Sequence, residues 1–163
     1  MEYSPLVRGR ENPSLAKGRC PELVEGRKGG LNALISELSA VADKTKATCL
    51  SRFFQAFPGG YGGVDQFIGV AVPHQRKVAR KYFKQISLSE IETLLQDPIH
   101  EHRLTALFML TYKYETDRND EKTAMVDLYL RNTGYINNWD LVDSSAHKIL
   151  GNYFFDKDRS TLM

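Results

Sequence analysis

Trp139 and Asp143 stand four residues apart in the run Tyr135-Ile-Asn-Asn-Trp-Asp-Leu-Val-Asp143. On a helix that spacing places an indole and a carboxylate on one face, one turn apart. An aromatic plane beside a negative charge suits a cationic ligand, or a substrate on which positive charge develops as it reacts. The same two residues would equally serve as a core aromatic and half of a structural ion pair. Asn137 or Asn138 can cap the helix and leave Trp139 in its first turn, with His147 one turn beyond Asp143. Asp140 beside Asp143 could form a carboxylate pair, but an acid in a first turn also complements the helix dipole.

The second candidate is basic. Arg76, Lys77, Arg80, Lys81 and Lys84 form the one dense cationic cluster. Arg76, Arg80 and Lys84 recur at helical spacing over roughly 12 Å, a stripe that could follow a run of phosphates. A solvated outer helix face has the same pattern. The other motifs carry less. Gly59 to Gly63 lacks the Gly-Lys-Ser/Thr ending of a phosphate-binding loop. His100 and His102 are two residues apart, which on a helix sends them to different faces, so no metal site is expected. No nucleophile–histidine–acid triad is present, and no cofactor is expected.

These residues need elements to hold them. Leu31, Leu34, Ile35 and Leu38 trace one amphipathic face, and Cys49, Leu50, Phe53, Phe54 and Phe57 are expected to supply a second. Pro58-Gly-Gly-Tyr-Gly-Gly63 must be a loop. Pro73 suits a first helical turn ahead of Val78, Ala79 and Tyr82. Ser87-Leu-Ser-Glu90 is a capping box for a helix carrying Ile91, Leu94 and Leu95. Pro98 ends that helix and precedes one with Leu104, Leu107, Phe108, Leu110 and Thr111. Helices over Asp120 to Leu130 and Asn138 to Phe154 complete the set. No segment shows strand alternation, so the fold class is all-α. Asp97-Pro98 followed by Arg103, Ala106, Leu107 and Leu110 favours a solenoid of HEAT-like repeats over a plain bundle. In such repeats the Asp-Pro corner turns the chain and the arginine bridges neighbouring units.

The first thirty residues are different. Pro5-Leu-Val-Arg-Gly-Arg10, Pro13-Ser-Leu-Ala-Lys-Gly-Arg19 and Pro21-Glu-Leu-Val-Glu-Gly-Arg27 form a degenerate repeat, and Lys28-Gly29-Gly30 closes it. Each copy is too short and too poor in apolar residues to pack, so residues 1–30 are expected to be a disordered extension and 31–163 the folded domain. Charge divides along the same boundary. Residues 1–30 carry six Lys/Arg and four Glu, whereas residues 31–163 carry 16 basic and 16 acidic groups. Nucleic-acid binding by a neutral domain would therefore need a local patch. Cys20 and Cys49 read as incidental thiols, no run is apolar enough for a membrane span, and no signal peptide is evident. A cytoplasmic protein without a membrane or obligate protein partner is expected.

Taken in order, the segments from about Leu31 onward resemble the AlkD-like DNA alkylation repair family. The residues that carry the resemblance are Arg52-Phe-Phe54, Tyr61-Gly62, Asp65-Gln-Phe-Ile-Gly-Val70, Pro73 with Arg76-Lys77, Ile99-His-Glu-His-Arg-Leu104, and Asn137 to Asp143 with Lys148-Ile-Leu-Gly151. The resemblance implies a HEAT-like solenoid holding duplex DNA in a concave groove. It also implies a DNA glycosylase that releases N3- or N7-alkylated purines, with Trp139 and Asp143 as the aromatic and carboxylate of its cleft. A non-catalytic relative binding distorted or branched DNA is the alternative. Two local departures stand out: Ala71 replaces a basic residue, and Gly63-Val64-Asp65 replaces a Gly-Glu-Gly-Asp run. The chain also stops at Asp158-Arg-Ser-Thr-Leu-Met163, where full relatives continue for about two more repeats of ~40 residues. Half a groove, and an incompletely covered face around Leu141, Val142, Ile149, Leu150, Phe154 and Phe155, are therefore expected.

Overall fold

A computed structural model of the chain describes residues 28–117 and 121–155. The N-terminal repeat up to Arg27 and the final segment from Asp156 lie outside the described residues. In chain order the helices are α1 (Lys28–Ala40), α2 (Lys44–Phe53), α3 (Val72–Tyr82), α4 (Leu88–Leu95), α5 (His100–Thr116), α6 (Lys122–Arg131), α7 (Trp139–Ala146) and α8 (Asn152–Phe154). A 3-10 turn at Thr133–Tyr135 precedes α7, and a π-helical turn at His147–Gly151 joins α7 to α8. The described part is all-α, of the helical-repeat kind. Its one β-like feature is an isolated parallel bridge between Gln66 and Ile99.

The centre is α5, which packs against α3, α4 and α7. It is buried nearly all round, from His100 to Thr111 and again at Tyr114. A helix so enclosed ought to be apolar on every face. Here the second half obeys, with Leu107, Phe108, Met109 and Leu110, whereas the first turn puts His100, Glu101, His102 and Arg103 into the interior. Four buried ionisable side chains in a row need partners. Supplying those partners shapes the rest of the site.

Local chemistry ends the elements where the sequence suggests. Ser87 and Glu90 form the reciprocal capping box of α4, and Pro73 lies in the first turn of α3. The Asp97 carboxylate accepts from the Ile99 N–H at 2.8 Å and fixes the Asp-Pro corner ahead of α5. Three expectations need correction. First, α1 begins at Lys28, so Gly29 and Gly30 are helical. Gly30 fits there because it lies close beneath Ile86, where a Cβ would come within 3.3 Å of the side chain.

Second, α2 supplies no buried face: none of its residues is buried, and Phe53 and Phe57 are 63% and 50% exposed. Phe54 alone of that aromatic set turns into the core. Third, the stretch from Asn138 to Phe154 is not one α-helix, because the π turn after Ala146 interrupts it. The face expected to be incompletely covered divides: Leu141, Ile149 and Phe154 are buried, while Val142 and Phe155 are exposed.

The segment between α2 and α3 has little secondary structure but is firmly held. The Glu101 carboxylate accepts from the backbone N–H groups of Ile68, Gly69 and Val70, the shortest at 2.7 Å. The Ile68 carbonyl accepts from Asp43 N–H at 2.9 Å, and Gln66 bonds Pro98 and His100 through its backbone. Gly69 has φ +79°, and a Cβ there would lie 2.0 Å from the Asp43 carbonyl oxygen, so only glycine fits.

Candidate functional site

The site begins at the N-terminus of α7. Asn138 is extended, nearly buried, and its side-chain oxygen accepts from the Trp139 N–H at 2.9 Å. Leu141 and Ser145 face inward and anchor the helix. Ser145 Oγ donates to the Leu141 carbonyl and meets the Tyr129 hydroxyl at 3.0 Å. This registration leaves the opposite face of α7 to solvent. Trp139 is half-exposed and Asp143 is exposed. Among the described residues the Asp143 carboxylate has no hydrogen-bond or ion-pair partner.

Trp139 does not stand alone. Its ring lies 5.6 Å from Phe54 and 6.2 Å from Phe53, the latter edge-on. Phe53 projects into solvent at the end of α2, and the Tyr61 hydroxyl donates to its carbonyl at 3.2 Å. The Gly-rich loop therefore folds back on the end of α2. Phe53 and Trp139 are exposed aromatic surfaces from two elements separated by more than eighty positions. Phe54 carries the contact inward, stacking on Phe67 at 5.4 Å and on His100 at 5.1 Å.

Beneath the aromatics is a buried charged group. His100 presents Nδ1 to Asp65 Oδ2 at 3.1 Å and Nε2 to Asp140 Oδ2 at 2.8 Å. Arg103, one turn along α5, pairs with Asp65 at 2.5 Å. Burial pushes the Asp65 carboxyl upward, but the hydrogen bonds from His100 and Arg103 outweigh it and hold the pKa at about 2. Burial opposes charge on His100, yet its two carboxylate partners raise its pKa above the ordinary value. Asp140 is thus engaged by a neighbouring helix as well as by its own helix dipole.

A model of the DNA alkylation repair enzyme family matches residues 34–163. The chain belongs to the DNA alkylation repair enzyme family. No curated protein and no solved structure matches it. Membership assigns the chain a role in DNA alkylation repair, and hence an interaction with DNA.

In this family member the basic cluster is divided between two neighbours. Arg76 is half-buried, its guanidinium 4.0 Å above the Phe108 ring, and Arg80 lies 5.5 Å from Tyr112, so both lean on α5. Lys81 pairs with Glu37 of α1 at 2.6 Å, and that hydrogen bond leads in lowering the Glu37 pKa, with Lys77 adding to the field. Lys84 is exposed, its ammonium 5.8 Å from the Phe83 ring. Lys81 is thereby tied into the α1–α3 contact, and like Lys77, Arg80 and Lys84 it keeps solvent exposure. Among the described residues no helix is long and apolar enough to cross a membrane, and no three His, Cys, Asp or Glu side chains converge as metal ligands would.

Sequence reasoning missed Phe53 as an exposed aromatic and missed the His100–Asp65–Asp140 group. The spacing of His100 and His102 was the wrong test for it. His100 is matched to carboxylates far away in sequence, and only the fold reveals them. One signal was present: Arg103, singled out after the Asp-Pro corner, pairs with Asp65 of the α2–α3 segment.

Proposed function

We propose that this chain is a DNA glycosylase that hydrolyses the N-glycosidic bond of N3- or N7-alkylated purines in duplex DNA, using Asp143 and Trp139. The observation that carries this reading is an exposed carboxylate, without a partner among the described residues, one helical turn from a half-exposed indole on the outer face of α7. An alkylated ring nitrogen gives the base a positive charge, so the base leaves easily and needs little acid assistance. Positive charge then builds on the sugar. A carboxylate in the position of Asp143 stabilises that oxocarbenium character and orients a water molecule.

As the C1′–N bond breaks, its electron pair neutralises the purine ring. The water oxygen bonds to C1′ and its proton passes to Asp143 and then to solvent. An abasic sugar remains. The indole of Trp139, flanked by Phe53, offers an apolar wall against the sugar. Exposed side chains on an open surface suit a lesion handled without a deep base-reading pocket.

The fold reading that accompanies this function is a HEAT-like solenoid. Its Asp97-Pro98 corner and the Arg103–Asp65 bridge are the repeat features that support it. Arg76, Lys77, Arg80, Lys81 and Lys84 are the proposed phosphate contacts. Lys77, Arg80, Lys81 and Lys84 are exposed, Lys81 while paired with Glu37, whereas Arg76 is half-buried against Phe108. Release of 7-methylguanine from a duplex, compared with binding of the same duplex, tests the reading. Release that depends on Asp143 supports it. Salt-sensitive binding without release would point to a module that binds distorted or branched DNA instead.

A further inference from the structure

His100 is nearly sealed from solvent, with the rings of Phe54 and Phe67 stacked against it at 5.1 and 4.8 Å. Each of its nitrogens meets a carboxylate oxygen. A neutral imidazole has one N–H and one lone pair, so one of the two contacts would set a lone pair against a carboxylate. A doubly protonated ring donates to both. Charge balance agrees: Asp65 and Asp140 are two anions, Arg103 is one cation, and a second cation is needed to leave the buried group neutral. The groups facing the ring are Asp65 from the α2–α3 segment, Asp140 from α7 and Arg103 from α5, with only the Phe54 ring coming from the end of α2.

The arrangement matters to the site because of what Asp140 lacks. Its Oδ1 is buried without a partner, so His100 is the polar anchor of that carboxylate among the described residues. Asp140 follows Trp139 and lies three residues before Asp143. We infer that His100 is a positioning residue for the site proposed above: a buried imidazolium that ties the first turn of α7 to Asp65 and so sets where Trp139 and Asp143 stand. The inference rests on that reading for its consequence in catalysis, but the strut itself is measurable without it. Deprotonating His100 removes one of the two bonds, frees the start of α7, and moves the indole and Asp143 together.

The test uses the whole chain and three readouts. In the proton–nitrogen NMR spectrum of the unmodified protein, both ring nitrogens of His100 are expected to carry protons at neutral pH. A single-protonated ring would overturn the inference and needs no variant to be seen. Trp139 is the sole tryptophan, so its emission reports this site directly. Its emission is expected to shift as pH rises above neutrality, and the shift should vanish in His100→Gln and in the milder Asp140→Asn.

An emission independent of pH in the unmodified protein, or a shift retained in both variants, would overturn the inference. With 7-methylguanine duplex as substrate, kcat in either variant should fall ~10- to 100-fold with little change in KM, and its alkaline decline should disappear. Unchanged kcat in a folded variant would overturn the positioning role. Absence of base release by the unmodified protein would count against the glycosylase reading alone, because the NMR and emission results would still decide the strut.

Discussion

At the scale of single residues, neighbouring carboxylates are put to different uses. Asp140 and Asp143 are three positions apart on α7, yet Asp140 is mostly buried and bonded to His100 whereas Asp143 is exposed and has no partner among the described residues. Replacing Trp139 with Ala should lower kcat/KM for base release while leaving thermal stability nearly unchanged, because half of the ring is already exposed. Trp139→Phe should recover part of the loss. Calorimetry beside a base-release assay checks both statements. A large drop in melting temperature would instead make Trp139 a packing residue. The i, i+4 spacing of Trp139 and Asp143 was legible in the sequence because helical periodicity fixes it. Which face of α7 meets solvent was not, since Leu141 and Ser145 win the interior only through contacts made elsewhere.

At the scale of elements, the segment from Asp65 to Val70 shows how an irregular stretch becomes rigid. Three backbone N–H groups converge on Glu101, and Gly69 accepts a conformation that a side chain would block. Glu101→Ala would leave those donors without their charged acceptor and should destabilise the protein by about 3 kcal/mol, measured by urea unfolding. A loss below ~1 kcal/mol would mean that water replaces the carboxylate without penalty. The Ser87 cap gives a smaller and independent check: Ser87→Ala should cost about 1 kcal/mol. Helix ends marked by Ser87, Pro73 and Pro98 were legible because capping and proline chemistry is local. The exposed aromatics of α2 were not. Phe53, Phe54 and Phe57 read as a core stripe, whereas the fold buries Phe54 and leaves Phe53 and Phe57 exposed.

At the scale of the whole molecule, stability and binding should follow the charged interior and the divided basic surface. Asp65 has its pKa lowered to about 2, so its contribution is present above the unfolded carboxylate value of about 3.9 and is lost as pH falls toward about 2. The associated stabilisation is on the order of 2 kcal/mol. His100 acts with the opposite sign: its raised pKa gives stability that is complete below about 6.5 and is lost as pH rises through the folded value. Thermal unfolding across pH should therefore show an acidic decline reduced in Asp65→Asn and an alkaline decline absent in His100→Gln.

The all-α class and the order of most helices could be read from apolar periodicity. The buried ionic group could not, because each of its members looks like an ordinary surface residue until the α2–α3 segment, α5 and α7 are brought together.

The most direct test of the central claim is single-turnover release of 7-methylguanine from duplex DNA by the unmodified chain and by Asp143→Asn, with duplex binding measured in parallel. Release by the unmodified chain is expected, with a fall of about a hundredfold or more in the variant and binding that is unchanged or tighter as a negative charge leaves the surface. Equal release by both proteins would contradict the claim, because the carboxylate on the open face of α7 would then have no part in the chemistry.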